Sequence, residues 1–116
     1  MTLPLSPEIL RAAYDYLNAT PPFARWNLPD SDDVSFKVAK DRSHAGWHEV
    51  DRKKHLIAIS SYHVAHSHTL LVIMAHEMIH LHQVHSGMSQ GGEHNRAFDK
   101  LKFRVAKYHG FDPKFL

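Results

Sequence analysis

The chain has 116 residues, 43% hydrophobic and 22% charged, with a net charge of +2 when its 12 histidines are neutral. That is one domain's worth of residues, and the expectation is a single domain over residues 1–116; the absence of cysteine excludes disulfides, thiolate metal sites and thiol nucleophiles. The longest apolar run, Leu70–Ala75, is far short of the roughly 20 residues of a membrane span, and Met1–Pro7 lacks the basic and apolar stretches of a secretory signal, so a cytoplasmic protein with no membrane partner is expected.

Ser6-Pro7-Glu8 reads as a helix start, with a capping hydroxyl, a proline in the first turn and an acid at the positive dipole end. Leu10, Ala13, Tyr14 and Leu17 continue at helical spacing, and Thr20-Pro21-Pro22 stops the helix. Phe23 to Asp33 is a connector whose Trp26 and Leu28 pack on the core. Three strand candidates follow: Val34–Val38, Ala45–Val50 and Leu56–Ile59. The polar stretches Asp41-Arg42-Ser43 and Asp51-Arg52-Lys53-Lys54 read as turns between them, which predicts a small antiparallel meander. Ser61 to His68 leads into a helix from about Thr69 to His85. Ser86-Gly87 and Gly91-Gly92 bracket a loop. A last helix, from about Asn95 to Tyr108, places Phe98, Leu101, Val105 and Tyr108 on one face, and Gly110 ends it.

The pentad His76-Glu77-Met78-Ile79-His80 carries the chemistry. Residues four apart stack on one face of a helix, so both imidazoles project toward a common point, with Glu77 about 100° around the axis. Two neutral imidazoles can occupy two corners of a zinc tetrahedron, and the carboxylate can act as general base on a zinc-bound water. In a chain this rich in histidine such a pair is less surprising than usual. Its setting argues for a site: Met74, Ala75, Met78, Ile79 and Leu81 suit a buried helix, where polar groups are costly without compensation. A metal ion compensates.

A catalytic zinc usually takes three protein ligands. The metzincin pattern requires glycine at position 83 and histidine at 86, where this chain has Gln83 and Ser86. The three-histidine ribonuclease pattern fails at Ser86 as well, and the deformylase pattern needs a cysteine. A thermolysin-like glutamate would have to be Glu93. His94 is the better third ligand, because Gly91 and Gly92 let the chain double back and the last helix can pack beside the metal helix through Phe98 and Leu101.

With His94-Asn95-Arg96-Ala97-Phe98 following the pentad, the sequence resembles the SprT-like zinc metallopeptidases, whose eukaryotic members include the Spartan-type DNA–protein crosslink proteases. Trp26-Asn27, His44-Ala45-Gly46 and Ile57-Ala58-Ile59-Ser60 fall in the order of that family's upstream landmarks, and the resemblance runs from the first helix to about Tyr108. Asn95 replaces the family's usual glycine after the third histidine. The Cys-based zinc module and the DNA-binding tails of some relatives are not in this sequence. The resemblance implies a zincin-like α+β fold: an N-terminal helix, a three-stranded antiparallel sheet, a metal-binding helix and a C-terminal helix. It implies Zn2+ on His76, His80 and His94, with Glu77 activating water to hydrolyse a protein or peptide substrate.

Tyr62, His63, Tyr108 and His109 are all open as donors to the developing oxyanion, and an exposed sheet edge suits an extended peptide. Of the other histidines, His63, His66 and His68 read as a solvated connector rather than a second metal site, and His82 and His85 as facing solvent or a neighbouring helix. His44, His48 and His55 fall at strand ends or turns, where a substrate-cleft role is open, and Trp47 can line a cleft or, as aromatics in small sheets more often do, belong to the core. Residues 94–116 hold six basic side chains against Asp99 and Asp112, a face for nucleic acid such as DNA or simply a solvated one. A metal-stabilised binding module for nucleic acid or protein, without proteolysis, is the alternative function. Glu77 discriminates, since a structural site has no need of a carboxylate beside its ligand.

Overall fold

The Ser6 hydroxyl accepts the Ile9 amide at 3.2 Å, and Pro7 opens helix α1 (Pro7–Asn18). Leu10, Ala13, Tyr14 and Leu17 form its buried stripe, as their spacing requires; a leucine fully removed from water contributes about 1.5–3 kcal/mol. The computed structural model describes residues 5–62, 66–87 and 94–116. After α1 come β1 (Val34–Ala39), β2 (Gly46–Asp51), β3 (Lys54–Ser60), α2 (Ser67–His85) and α3 (Arg96–His109). Single 3-10 turns lie at Phe23–Arg25, Ser31–Asp33 and Pro113–Phe115. The connector after α1 is pinned to it by the Tyr14 hydroxyl, which donates to the Pro29 carbonyl at 2.6 Å.

The sheet corrects the expected antiparallel meander. Its order is β1-β3-β2, with β3 antiparallel to β2 and parallel to β1. The β2–β3 pairing is a local hairpin through Arg52 and Lys53, both at positive φ (50° and 67°), as two-residue hairpin turns demand. β1 is different. Residues 40–45 carry the chain across the end of β3, and the buried Ser60 ties that crossing down. Its amide donates to the Ala45 carbonyl at 2.8 Å, and its hydroxyl donates to the Asp41 carbonyl at 2.5 Å. β3 is the most buried strand and takes the centre, where both of its edges are paired.

Strand periodicity puts His55, Ile57 and Ile59 of β3 on one face. The register sets Val34 and Val50 beside His55, Phe36 and His48 beside Ile57, and Val38 and Gly46 beside Ile59. That face carries the helices: Tyr14 of α1 meets Phe36 edge-on at 5.5 Å between ring centroids. Helix α2 is the central element, with Leu70, Val72, Met74, Ala75, Met78, Ile79 and Leu81 all buried. Apolar residues around most of a helix's circumference mean neighbours on several sides, here the sheet, α1 and α3.

Asn95 caps α3 by accepting the Phe98 amide at 3.0 Å, and Gly110 closes it at φ 72°, a left-handed conformation that glycine adopts without steric cost. Phe98 and Val105 are buried as expected. Tyr108 is not. It is 51% exposed, because the chain's return through Phe111 and Leu116 covers the face turned away from it.

Candidate metal centre

One turn of α2 separates His76 from His80, and their Nε2 atoms lie 3.0 Å apart. Nε2 of His94, just ahead of the α3 cap, is 3.4 Å from that of His76. The three residues can present one nitrogen each within 4.8 Å of one another. Nitrogens about 2.0–2.1 Å from a tetrahedral ion lie about 3.3 Å from each other, and the 3.0 and 3.4 Å separations fit a single small divalent ion. Phe98 holds the arrangement from the α3 side. Its ring stacks on His80 at 4.8 Å between centroids and meets His76 and His94 edge-on at 5.0 and 4.8 Å. The sequence therefore uses one aromatic on α3 to seat imidazoles from both sides of the loop.

The His76 donor is in the form that binds metal. Burial pushes the His76 imidazole down to about 4, the nearby His80 adds to this, and a hydrogen bond with the Leu116 backbone opposes it. At neutral pH the ring is uncharged, so ligation releases no proton from it. His80 is buried while His94 is exposed, which leaves one side of the triad open to solvent.

Glu77 is only 4% exposed, yet it lines the same cavity as the triad, a space of about 230 Å3 bounded on its far side by His44, Trp47 and His48. The strand opposite makes room for the carboxylate. A Cβ added to Gly46 would stand 2.9 Å from the Ala58 carbonyl oxygen, 3.0 Å from Ile73 Cγ2 and 3.3 Å from Glu77 Oε2. Gly46→Ala is expected to force β2 away from α2 at a cost of about 1–3 kcal/mol. A thermal melt reads that cost, and a variant melting with the native protein shows that the strand yields freely.

Among the oxyanion candidates, Tyr62 is exposed with the Arg42 guanidinium 5.2 Å over its ring. Tyr108 faces outward, and the His109 ring bonds the Thr20 hydroxyl at 3.0 Å. None of these three lines the cavity. His63, Glu93 and the Gly91-Gly92 turn lie outside the described residues. The cavity takes instead His48, whose Nε2 is 2.8 Å from Nδ1 of His55. Burial, then the neighbouring His55 and His80, push His48 down to about 4, so this pair is neutral at neutral pH. Strand alternation, which turns residues 46 and 48 toward the helices, is the signal that places His48 there.

Two other positions differ from their sequence reading. His82 is buried against Trp26, the rings stacked at 4.3 Å with 15° between planes. This happens because the connector after α1 folds back over the end of α2. Gln83, useful in the sequence only for excluding a metzincin, is 1% exposed and bonded to His80; its i, i+3 spacing from a candidate ligand was the available signal.

The α+β fold brings three imidazoles together from a helix and the head of the next, beside a buried glutamate, a group that could hold a metal ion. The chain belongs to the SprT-like family, whose family model matches residues 11–114. No curated protein matches it. Among the described residues, no helix is long and apolar enough to cross a membrane.

Proposed function

We propose that this protein is a zinc-dependent, zincin-like peptidase in which His76, His80 and His94 hold the ion and Glu77 is the general base. The observation that carries this reading is the placement of Glu77: a nearly buried carboxylate, one residue after a candidate ligand, lining the triad's own cavity. A structural ion needs only its ligands. When bound, zinc supplies a Lewis acid that acidifies water and polarises a carbonyl. Glu77 takes the proton of the attacking water and returns it to the leaving amine. His48 and Trp47 stand across the cavity on β2, the outer strand opposite β1, along which an extended peptide can lie by strand addition.

The test is hydrolysis of an unfolded protein by the zinc-loaded chain. We expect cleavage that a chelator stops and added zinc restores. Cleavage indifferent to the chelator removes the metal from the reaction.

A second reading has its own observation. Arg96, Lys100, Arg104 and Lys107 are exposed along α3, with Phe103 and Tyr108 58% and 51% exposed among them. Cations interleaved with aromatics suit a single-stranded nucleic acid, through phosphate pairing and base stacking. Tight DNA binding at low salt, with zinc bound and no hydrolysis of any protein, would favour a binding module.

A further inference from the structure

The hydrogen-bond chain from the head of α3 to the metal centre has a direction. The Phe98 amide can only donate, so the Asn95 atom that accepts it at 3.0 Å is the carbonyl Oδ1. The same Oδ1 receives Gln83 Nε2 at 2.9 Å, and only the amide nitrogen of Gln83 can donate to it. Gln83 must then turn Oε1 the other way, where it lies 3.2 Å from Nδ1 of His80. An amide oxygen is an acceptor, so Nδ1 of His80 carries the proton. A neutral imidazole has one N–H, and the lone pair is therefore on Nε2. That is the nitrogen facing Nε2 of His76 at 3.0 Å.

We infer that Gln83 and Asn95 form a positioning relay that holds His80 in its metal-binding tautomer and locks it to the α3 head that carries His94. The proposal rests on the metal-centre reading and extends it to residues that touch no ion. Gln83 is 1% exposed, so its amide is held among protein partners without competition from bulk water. Burial of an amide is costly unless both ends are bonded, and here each end has a named partner. The relay also gives Asn95 a role that glycine cannot fill, since glycine has no side-chain oxygen to cap α3 or receive Gln83. Helix α2 carries two of the triad and α3 adjoins the third. A rigid link between His80 and Asn95 sets the distance between the two groups before any ion arrives. Outer partners of metal-bound histidines act in this way by fixing tautomer and ring orientation.

The tautomer of His80 in the metal-free native protein is the first measurement, by nitrogen-15 NMR of the imidazoles. Protonation at Nδ1 is expected; protonation at Nε2 overturns the relay without any variant having to fold. Zinc affinity, read by competition with a chromogenic chelator, is the second. Gln83→Met removes both amide bonds at similar volume and is expected to weaken zinc about 10–100-fold. Asn95→Asp keeps an oxygen acceptor for both donors and is expected to stay within about threefold of native, since the relay's polarity is preserved. A folded Gln83→Met protein that binds zinc as tightly as native defeats the proposal. A native protein that binds no zinc defeats the metal-centre reading instead, and the tautomer measurement still decides the relay.

Discussion

Glu77→Gln should leave zinc bound and the fold intact while hydrolysis falls by about 10²–10⁴-fold, the usual contribution of general acid–base catalysis. Glutamine has nearly the same shape, so the packing that leaves this side chain 4% exposed is kept. What is lost is the acceptor of the water's proton. A neutral amide is also cheaper to bury than a carboxylate, and the melting temperature without metal should hold or rise. The measurement pairs zinc content with the cleavage rate of an unfolded protein. Equal rates at equal occupancy would end the assignment of Glu77 as base.

Metal removal should produce the largest stability change, and His94→Ala should erase most of it. A ligand that binds only the folded chain at 1,000 times its Kd adds about 4.1 kcal/mol, which for a domain of this size corresponds to roughly 10–20 °C in melting temperature. His94 lies at the solvent edge of the site, so truncating it should cost little in the metal-free protein. The loss therefore shows in the difference between melts with zinc and with chelator. Its effect on affinity should exceed the 10–100-fold typical of an outer partner, because a direct ligand disappears. An unchanged difference would move the third ligand elsewhere, with Glu93 the nearest alternative by sequence.

Helix α1 was legible almost to the residue, since its cap, proline and buried stripe are local features that no distant contact altered. The hairpin of β2 and β3 was legible for the same reason. The parallel pairing of β1 with β3 was not. Turn residues constrain adjacent strands, whereas β1's place depends on which strand gains most from being central, and that choice involves residues tens of positions apart. Tyr108 was misplaced on the core face because helical spacing assigns a face without saying how wide a neighbour will cover it. Tyr108 stands instead exposed among the cations of α3.

At the candidate site the division is similar. The helix period brings His76 and His80 together without help from the rest of the chain, and spacing was enough to prefer His94 as their partner. Its approach to within 3.4 Å of His76 depends on Phe98 packing against the three rings, which no local rule specifies. The space for Glu77 beside Gly46, the entry of His48 into the cavity and the chain from Asn95 through Gln83 to His80 were likewise decided in three dimensions. Sequence by itself determined the chemical groups and their grouping along helices, because donor chemistry and backbone periodicity are local. The tertiary structure decided which of those groups share a cavity and which hydrogen bonds join them, because burial and hydrogen-bond direction depend on partners that only folding brings together.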